Sequence, residues 1–347
     1  MLYNSCGKGY NHIKCWHHKS KTEDKIMKKI RIVMLGYGNA GTAFKKLLES
    51  KGQEIKEKYN AKCEIIAIGT GSRGNLLEPK GISSMEILEN TEYDIMIELT
   101  PLAIKTGQPA INHIETALCR GKHVITANKG PIAWDHRRLR DIAEKNGCMF
   151  LYETTVMDGT PVFNMVSENL EMCRVTEVRG ILNSTTNYIL EEMSKDRPYK
   201  DIIREGRERG FIEADASMDI EGYDAAAKLT ALMNVLMDAG ITPDDVSRKG
   251  IEDISLEDIK SARSKGKVIK LICRGTFSNG NMICKVAPEE IDKDGLYASI
   301  KGTSSVVSIT TDLMGTVHVI EEEPEIEQTA YGIFGDLLKV VKEMHIV

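Results

Sequence analysis

At 347 residues the chain has room for two domains, each with its own core. A net charge of −5, with lysines and acids interspersed throughout, argues against nucleic acid or an anionic membrane surface as a partner. No apolar run approaches the roughly 18 residues of a membrane span, and the eight cysteines follow neither zinc spacing nor a disulfide framework, so they read as buried thiols of a cytoplasmic protein.

Residues 1–26 are polar and lysine-rich, with Cys6, His12, Cys15, His17 and His18 at spacings that fit no common metal pattern. They lack the apolar stretch of a signal peptide and are expected to form a loose tail, with Met27 directly before the first strand. A β-like run at 30–35 ends at Gly36-Tyr37-Gly38-Asn39-Ala40-Gly41 and passes into a helix expected over Thr42–Tyr59. Strands at Cys63–Ile68, Tyr93–Leu99, His123–Thr126 and Cys148–Tyr152 then alternate with helices at Lys105–Arg120 and Ile132–Asn146. That rhythm predicts βαβ units on a doubly wound parallel sheet of the Rossmann type.

From about Thr154 the pattern changes. Helical stretches at Thr160–Leu170, Asn183–Ser194, Lys200–Arg209, Gly222–Ala239 and Leu256–Ser264 mix with strands at Val175–Leu182, Val268–Thr276, Asn281–Val286 and Ser304–Thr310. They predict an α+β domain on a separate, antiparallel sheet. A last strand at Thr316–Ile320 and a helix at Ile326–Met344 close the chain. The expected division is therefore 27–153 with about 311–347 for a dinucleotide-binding domain, and 154–310 for a substrate-binding and dimerisation domain.

Several strand ends carry chemistry. In the glycine motif, Gly36 permits the tight turn, Gly38 lets backbone approach a pyrophosphate and Gly41 lets helix and sheet pack closely. The helix start supplies N–H donors to phosphate. The second strand ends in Gly69-Thr70-Gly71-Ser72-Arg73, where the acid that would bind an NAD ribose is missing and an arginine suits a 2′-phosphate; this favours NADP over NAD. Thr100-Pro101 and Asn128-Lys129-Gly130-Pro131 mark two further strand ends, where doubly wound folds bind their ligands. Between Gly222 and Ala239 the side chains are almost all Ala, Leu, Met and Val, yet Asp224 and Lys228 share one face of the first two turns. An i,i+4 pair in so apolar a helix belongs at a cleft, not on a surface.

With these residues in view the chain resembles the homoserine dehydrogenases over about residues 28–340. The motifs are Gly36–Gly41, Asn128–Pro131, Glu153-Thr154-Thr155-Val156, the run from Gly180 to Leu190, and the stretch Gly210–Lys228. The resemblance implies a cytoplasmic, homodimeric enzyme that interconverts L-homoserine and L-aspartate 4-semialdehyde with NAD(P), on the route to threonine and methionine. It implies Lys228 as proton donor to the aldehyde oxygen and Lys129 as a second lysine at substrate and nicotinamide. It further implies Glu213, Asp219 and Asp224 as ligands of the substrate's amino-acid end, Gly210 and Thr100 as cofactor contacts, and a sodium site at Glu153, Val156, Asp158 and Thr160. Reversible proton transfer would favour a depressed pKa at the catalytic lysine. Asn183-Ser184-Thr185 reads as helix N-cap chemistry.

The chain departs from the family at four places, the first being Ser184, where the family usually has glycine. A glycine-rich loop before the last helix is replaced by residues 321–327 with five glutamates, which either face solvent or oppose the cofactor's phosphates. The turn after Val156 becomes Met157-Asp158-Gly159, and Ala216 stands for a usual proline. Two rival readings stand beside this one: another amino-acid dehydrogenase on this scaffold and, motivated by the acidic loop and the altered 157–159 turn, a non-catalytic paralogue that senses nucleotide or metabolite. Retention of both lysines counts against the second.

Overall fold

The structure, a computed structural model, describes residues 27–71, 74–75, 82–210, 212, 215–278 and 281–346. The expected tail, Arg73 and Glu213 lie outside the described residues.

The first half alternates as its apolar pattern requires: β1 (Lys28–Leu35), α1 (Asn39–Tyr59), β2 (Ala61–Thr70), β3 (Gly74–Asn75), α2 (Ser84–Asn90), β4 (Ile95–Glu98), α3 (Ala110–Cys119), β5 (His123–Thr126), α4 (Lys129–Lys145) and β6 (Phe150–Leu151). The strand order is β3-β2-β1-β4-β5-β6, parallel throughout apart from the two-residue edge strand β3. The order reverses between β1 and β4, so a crevice opens beyond their carboxyl ends. β4 is fully buried, which accounts for its unbroken Ile-Met-Ile run. α2 escapes the sequence pattern because it is two turns long, but its Ser83–Glu86 capping box is legible in retrospect.

The second half comprises α5 (Phe163–Asn169), β7 (Val175–Ile181), α6 (Ser184–Ser194), α7 (Tyr199–Glu208), α8 (Ser217–Ile220), α9 (Tyr223–Met237), β8 (Ser247–Arg248), α10 (Leu256–Ser264), β9 (Lys267–Ser278), β10 (Asn281–Asp292), α11 (Leu296–Ser299), β11 (Ser305–Thr311), β12 (Gly315–Glu321) and α12 (Ile326–Ile346). Its strands form a second sheet, β12-β11-β7-β9-β10-β8, antiparallel except where β8 runs parallel to β10. One face buries the largest core, in which Leu229, Leu232 and Met233 of α9 meet Leu271 and Cys273 of β9. The opposite face carries a small apolar cluster near Ile272 and Ile300 and is otherwise polar, as in the Arg179–Glu289 and Arg274–Glu177 pairs.

Two placements correct the sequence reading. β12 was expected beside the dinucleotide-binding sheet, but it pairs with β11 at the edge of the second sheet. Only α12 returns, burying Ile333, Phe334, Leu337, Val340 and Val341 in the core it shares with β1 and α1. The cysteines are not uniformly buried either: Cys273 and Cys284 are, while Cys119 at the end of α3 is exposed. Among the described residues no helix is long and apolar enough to cross a membrane.

Candidate active site

The glycine turn follows β1 directly. Gly36 has φ +95°, and a Cβ there would lie 2.2 Å from the Leu99 carbonyl oxygen, so only glycine fits where the ends of β1 and β4 meet. A Cβ on Gly41 would meet the Gly36 carbonyl at 3.1 Å, whereas one on Gly38 would meet nothing within 4 Å. Open space over Gly38, exposed beside Asn39 at the first turn of α1, is what a pyrophosphate needs to reach main-chain N–H groups. Tyr37 and Ala40 flank that opening, both half-buried. The residues present therefore fit a dinucleotide.

Across the crevice, Thr100 donates its backbone N–H to Glu98 Oε1 at 3.0 Å, and its hydroxyl bonds to the same oxygen. Its carbonyl accepts from Asn128 Nδ2 at 3.1 Å. Pro101 beside it is exposed. Asn128 also caps α4, accepting from the Gly130 N–H at 3.0 Å. Lys129 is thus the first residue of a helix, and Pro131 is tolerated because it falls in the first turn.

The charged cluster sits between α4 and α9. Asp224 Oδ1 is 2.9 Å from Lys129 Nζ, and Oδ2 is 3.7 Å from Lys228 Nζ. Lys228 also donates to the Leu182 carbonyl at 2.9 Å. Asn183, the N-cap of α6, donates through Nδ2 to Asp219 at 2.7 Å and Asp224 at 2.9 Å, while its Oδ1 accepts from the Thr186 N–H. Its capping role was legible in sequence; its bridge between two acids forty residues away was not. The side chains of Lys129, Asp224 and Lys228 retain 19%, 14% and 20% exposure, enough for a small molecule to reach them.

Burial alone would push the Asp224 carboxyl up, but Lys129 and Lys228 hold it well below the usual carboxylate range. Asp219 is raised by burial and by Asp224. Lys228 departs from expectation. Burial opposes its charge, yet Asp224, Asp158, Asp219 and Glu321 together outweigh burial and raise its pKa. The expected depression is therefore absent, because four carboxylates surround the lysine and one other lysine does not offset them.

Two of those carboxylates belong to the departures noted above. Glu321 is buried, with Oε1 accepting from Thr160 Oγ1 at 2.9 Å, and burial with Asp158 nearby pushes its carboxyl up to about 7. Glu322, Glu323, Glu325 and Glu327 all face solvent. The acidic loop thus divides, one carboxylate turned inward and four outward. Asp158, at φ +38°, accepts from Thr329 Oγ1 at 2.6 Å.

The residues expected around sodium do not converge through their side chains. Glu153 is buried, and its carboxylate accepts from the N–H groups of Val162, Phe163 and Asn164 at 2.5–2.8 Å. Val156 is apolar and buried, and the Asp158 and Thr160 side chains are engaged as described. Among the described residues no group of three His, Cys, Asp or Glu side chains is arranged for a metal. Gly210 lies in a positive-φ turn after α7 with open space above it.

Comparison with known proteins gives a consistent result. Residues 36–153 match the profile of the homoserine dehydrogenase NAD-binding domain, and residues 161–338 that of homoserine dehydrogenase. The homoserine dehydrogenase of Methanocaldococcus jannaschii is 33% identical over 89% of this chain and 98% of its own length. An NAD(+)-dependent homoserine dehydrogenase of Pseudomonas canavaninivorans is 30% identical over 90% and 97%. Among solved structures, homoserine dehydrogenase from Thiobacillus denitrificans superposes with a TM-score of 0.82 at 28% identity, covering 91% of this chain and 74% of that one. The enzyme from S. aureus does so at 0.78 and 30%, covering 92% and 78%. The chain belongs to the homoserine dehydrogenase family, oxidoreductases that act on a CH–OH group.

Proposed function

We propose that the protein interconverts L-homoserine and L-aspartate 4-semialdehyde. The observation that carries this reading is the Lys129–Asp224–Lys228 cluster between α4 and α9, with Lys129 next to the Asn128 that holds the Thr100 carbonyl just beyond β4. A bound nicotinamide supplies or accepts the hydride. Lys228 is the group that protonates the carbonyl oxygen as negative charge grows there, and Lys129 stabilises that charge. Asp224 and Asp219, with Glu213, receive the substrate's ammonium group. Asn183 fixes the two described acids relative to each other.

Absence of an acid after β2 and presence of Arg73 favour NADP. The NAD(+)-dependent relative makes NAD the alternative, and the ratio of kcat/KM for the two cofactors decides it. Any monovalent cation at residues 153–160 would be held by main-chain carbonyls, because the side chains are otherwise engaged; activity in sodium against potassium tests this. The sparsely covered face of the second sheet suits a homodimer, which sedimentation checks. Purified protein is expected to oxidise NAD(P)H with L-aspartate 4-semialdehyde, and Lys228→Ala to lose on the order of 10²–10⁴ in kcat. A variant as fast as wild type would overturn the assignment.

A further inference from the structure

The two lysines of the cluster lie on different layers of the molecule. Lys129 opens α4, which covers the first sheet, and Lys228 lies on α9, which packs on the second. Their separation depends on whatever fixes α4 against α9, and one side chain stands out there.

Asn234 of α9 is buried and faces a break in α4. At Asp135 the α4 backbone leaves helical geometry (φ −151°, ψ 23°), so the carbonyls of the preceding turn lose the regular helix pattern. Asn234 Nδ2 donates to the Ile132 carbonyl at 3.1 Å and the Ala133 carbonyl at 3.4 Å. Its other hydrogen goes to the Ile241 carbonyl at 2.9 Å, and its Oδ1 accepts from the Ile241 N–H at 2.9 Å. One amide thereby fastens three segments: the first turn of α4, the last half of α9 and the turn beyond it. Every polar atom of the side chain is used, so no other residue type of this size satisfies the same partners.

The pin is close to the chemistry. Asn234 lies six positions beyond Lys228, about 9 Å along α9, and Ile132 three positions beyond Lys129, about 4.5 Å along α4. Between the pinned carbonyls and the charged groups there is only continuous helix, a stiff connection. Ile132 itself is fully buried in the second core, so α4 is anchored across the seam by packing as well. A second link at the rim of the seam, Arg137 Nη2 to the Asp238 carbonyl at 2.6 Å, is exposed and takes no part in the break.

We infer that Asn234 is a positioning residue: by occupying the α4 break it sets the distance between Lys129 and the Asp224–Lys228 pair, and so the rate of hydride transfer. The inference rests on the proposed role of those lysines. Asn234→Asp keeps the shape but turns a donor into a carboxylate facing three carbonyls. In the full chain it is expected to lower kcat at least tenfold, with KM for the nicotinamide within threefold and a larger isotope effect from 4-deuterated cofactor. Arg137→Ala, which weakens the rim but leaves Asn234 and the Arg140–Asp238 pair in place, is expected to keep kcat within twofold. If Asn234→Asp does not fold, Asn234→Ser is read by the same criteria. A folded variant with kcat within twofold of wild type, or an equal loss in Arg137→Ala, overturns the inference. Undiminished turnover in Lys228→Ala would instead overturn the reading of the site, so the two failures are distinguishable.

Discussion

At the scale of single residues, the site is an arrangement of charges that only works as a group. Asp224 is the hinge of that arrangement, because it touches both lysines and shares Asn183 with Asp219. Removing its charge by Asp224→Asn takes away the largest influence that raises the Lys228 pKa. Lys228 must be neutral to accept a proton when homoserine is oxidised. In the wild type, oxidation is therefore expected to go on rising to the highest pH the protein tolerates. In Asp224→Asn the rise should level off at lower pH, together with a higher KM for homoserine; pH profiles of kcat measured up to pH 10 check this, and coincident profiles would contradict it. The Asp224–Lys228 relation was legible in the sequence, since i,i+4 spacing on a helix fixes proximity whatever the rest of the chain does. From its local pattern Lys129 was legible only as a residue at a strand end, and the family resemblance alone assigned it to the substrate. Its contact with Asp224 is tertiary, created by the packing of α4 on α9. The inward turn of Glu321 was not legible at all, because five glutamates in a row of seven look alike until burial distinguishes one of them.

At the scale of elements, sequence periodicity located every long helix and strand, and the errors sit where local signals conflict. α4 begins three residues earlier than its apolar pattern, because the Asn128 cap and a first-turn proline extend it over Lys129. β10 runs on to Asp292, through Pro288, because β8 pairs only at Lys285 and Val286 and the proline faces no ladder on that side. α9 shows the opposite behaviour. Its alanines and leucines predict burial on most of its surface, and Ala225–Ala227 and Leu229–Asn234 are buried. Leu232 is wholly enclosed among the second core. Leu232→Ala is expected to cost about 2–5 kcal/mol, the usual range for emptying such a site. Denaturant unfolding measures that loss, and a change below ~1 kcal/mol would mean that α9 is packed less tightly than described.

At the scale of the molecule, the segment from Glu321 to Asp336 joins the edge of the second sheet to the helix layer of the first, and it carries two acids whose burial makes stability depend on pH. The Glu321 carboxyl is pushed up to about 7 by burial and Asp158. Asp336 is almost completely buried, accepts the Glu153 N–H at 3.1 Å through one oxygen, and is likewise pushed up to about 7, chiefly by burial. In the unfolded chain both would ionise near 4, so between pH 4 and 7 the folded state binds more protons and stability falls as pH rises. The histidines work in the other direction at lower pH: burial depresses His136 to about 4, so its contribution is lost as pH falls below about 6.5. From pH 6.5 to 8 the two carboxyls dominate, while the last deprotonation of the unfolded histidines and the loss of a proton from Lys270, lowered to about 8 by burial, partly offset them. Across this window the wild type is expected to lose on the order of 1 kcal/mol, seen as a melting temperature lower by one to a few degrees. Asp336→Asn keeps the hydrogen bond to Glu153 and removes the ionisation, so it should flatten the slope by about half, and Glu321→Gln should remove most of the rest. A melting temperature that is constant or rises over this interval in the wild type would show that the crossing segment opens to water before its acids have to ionise inside the fold.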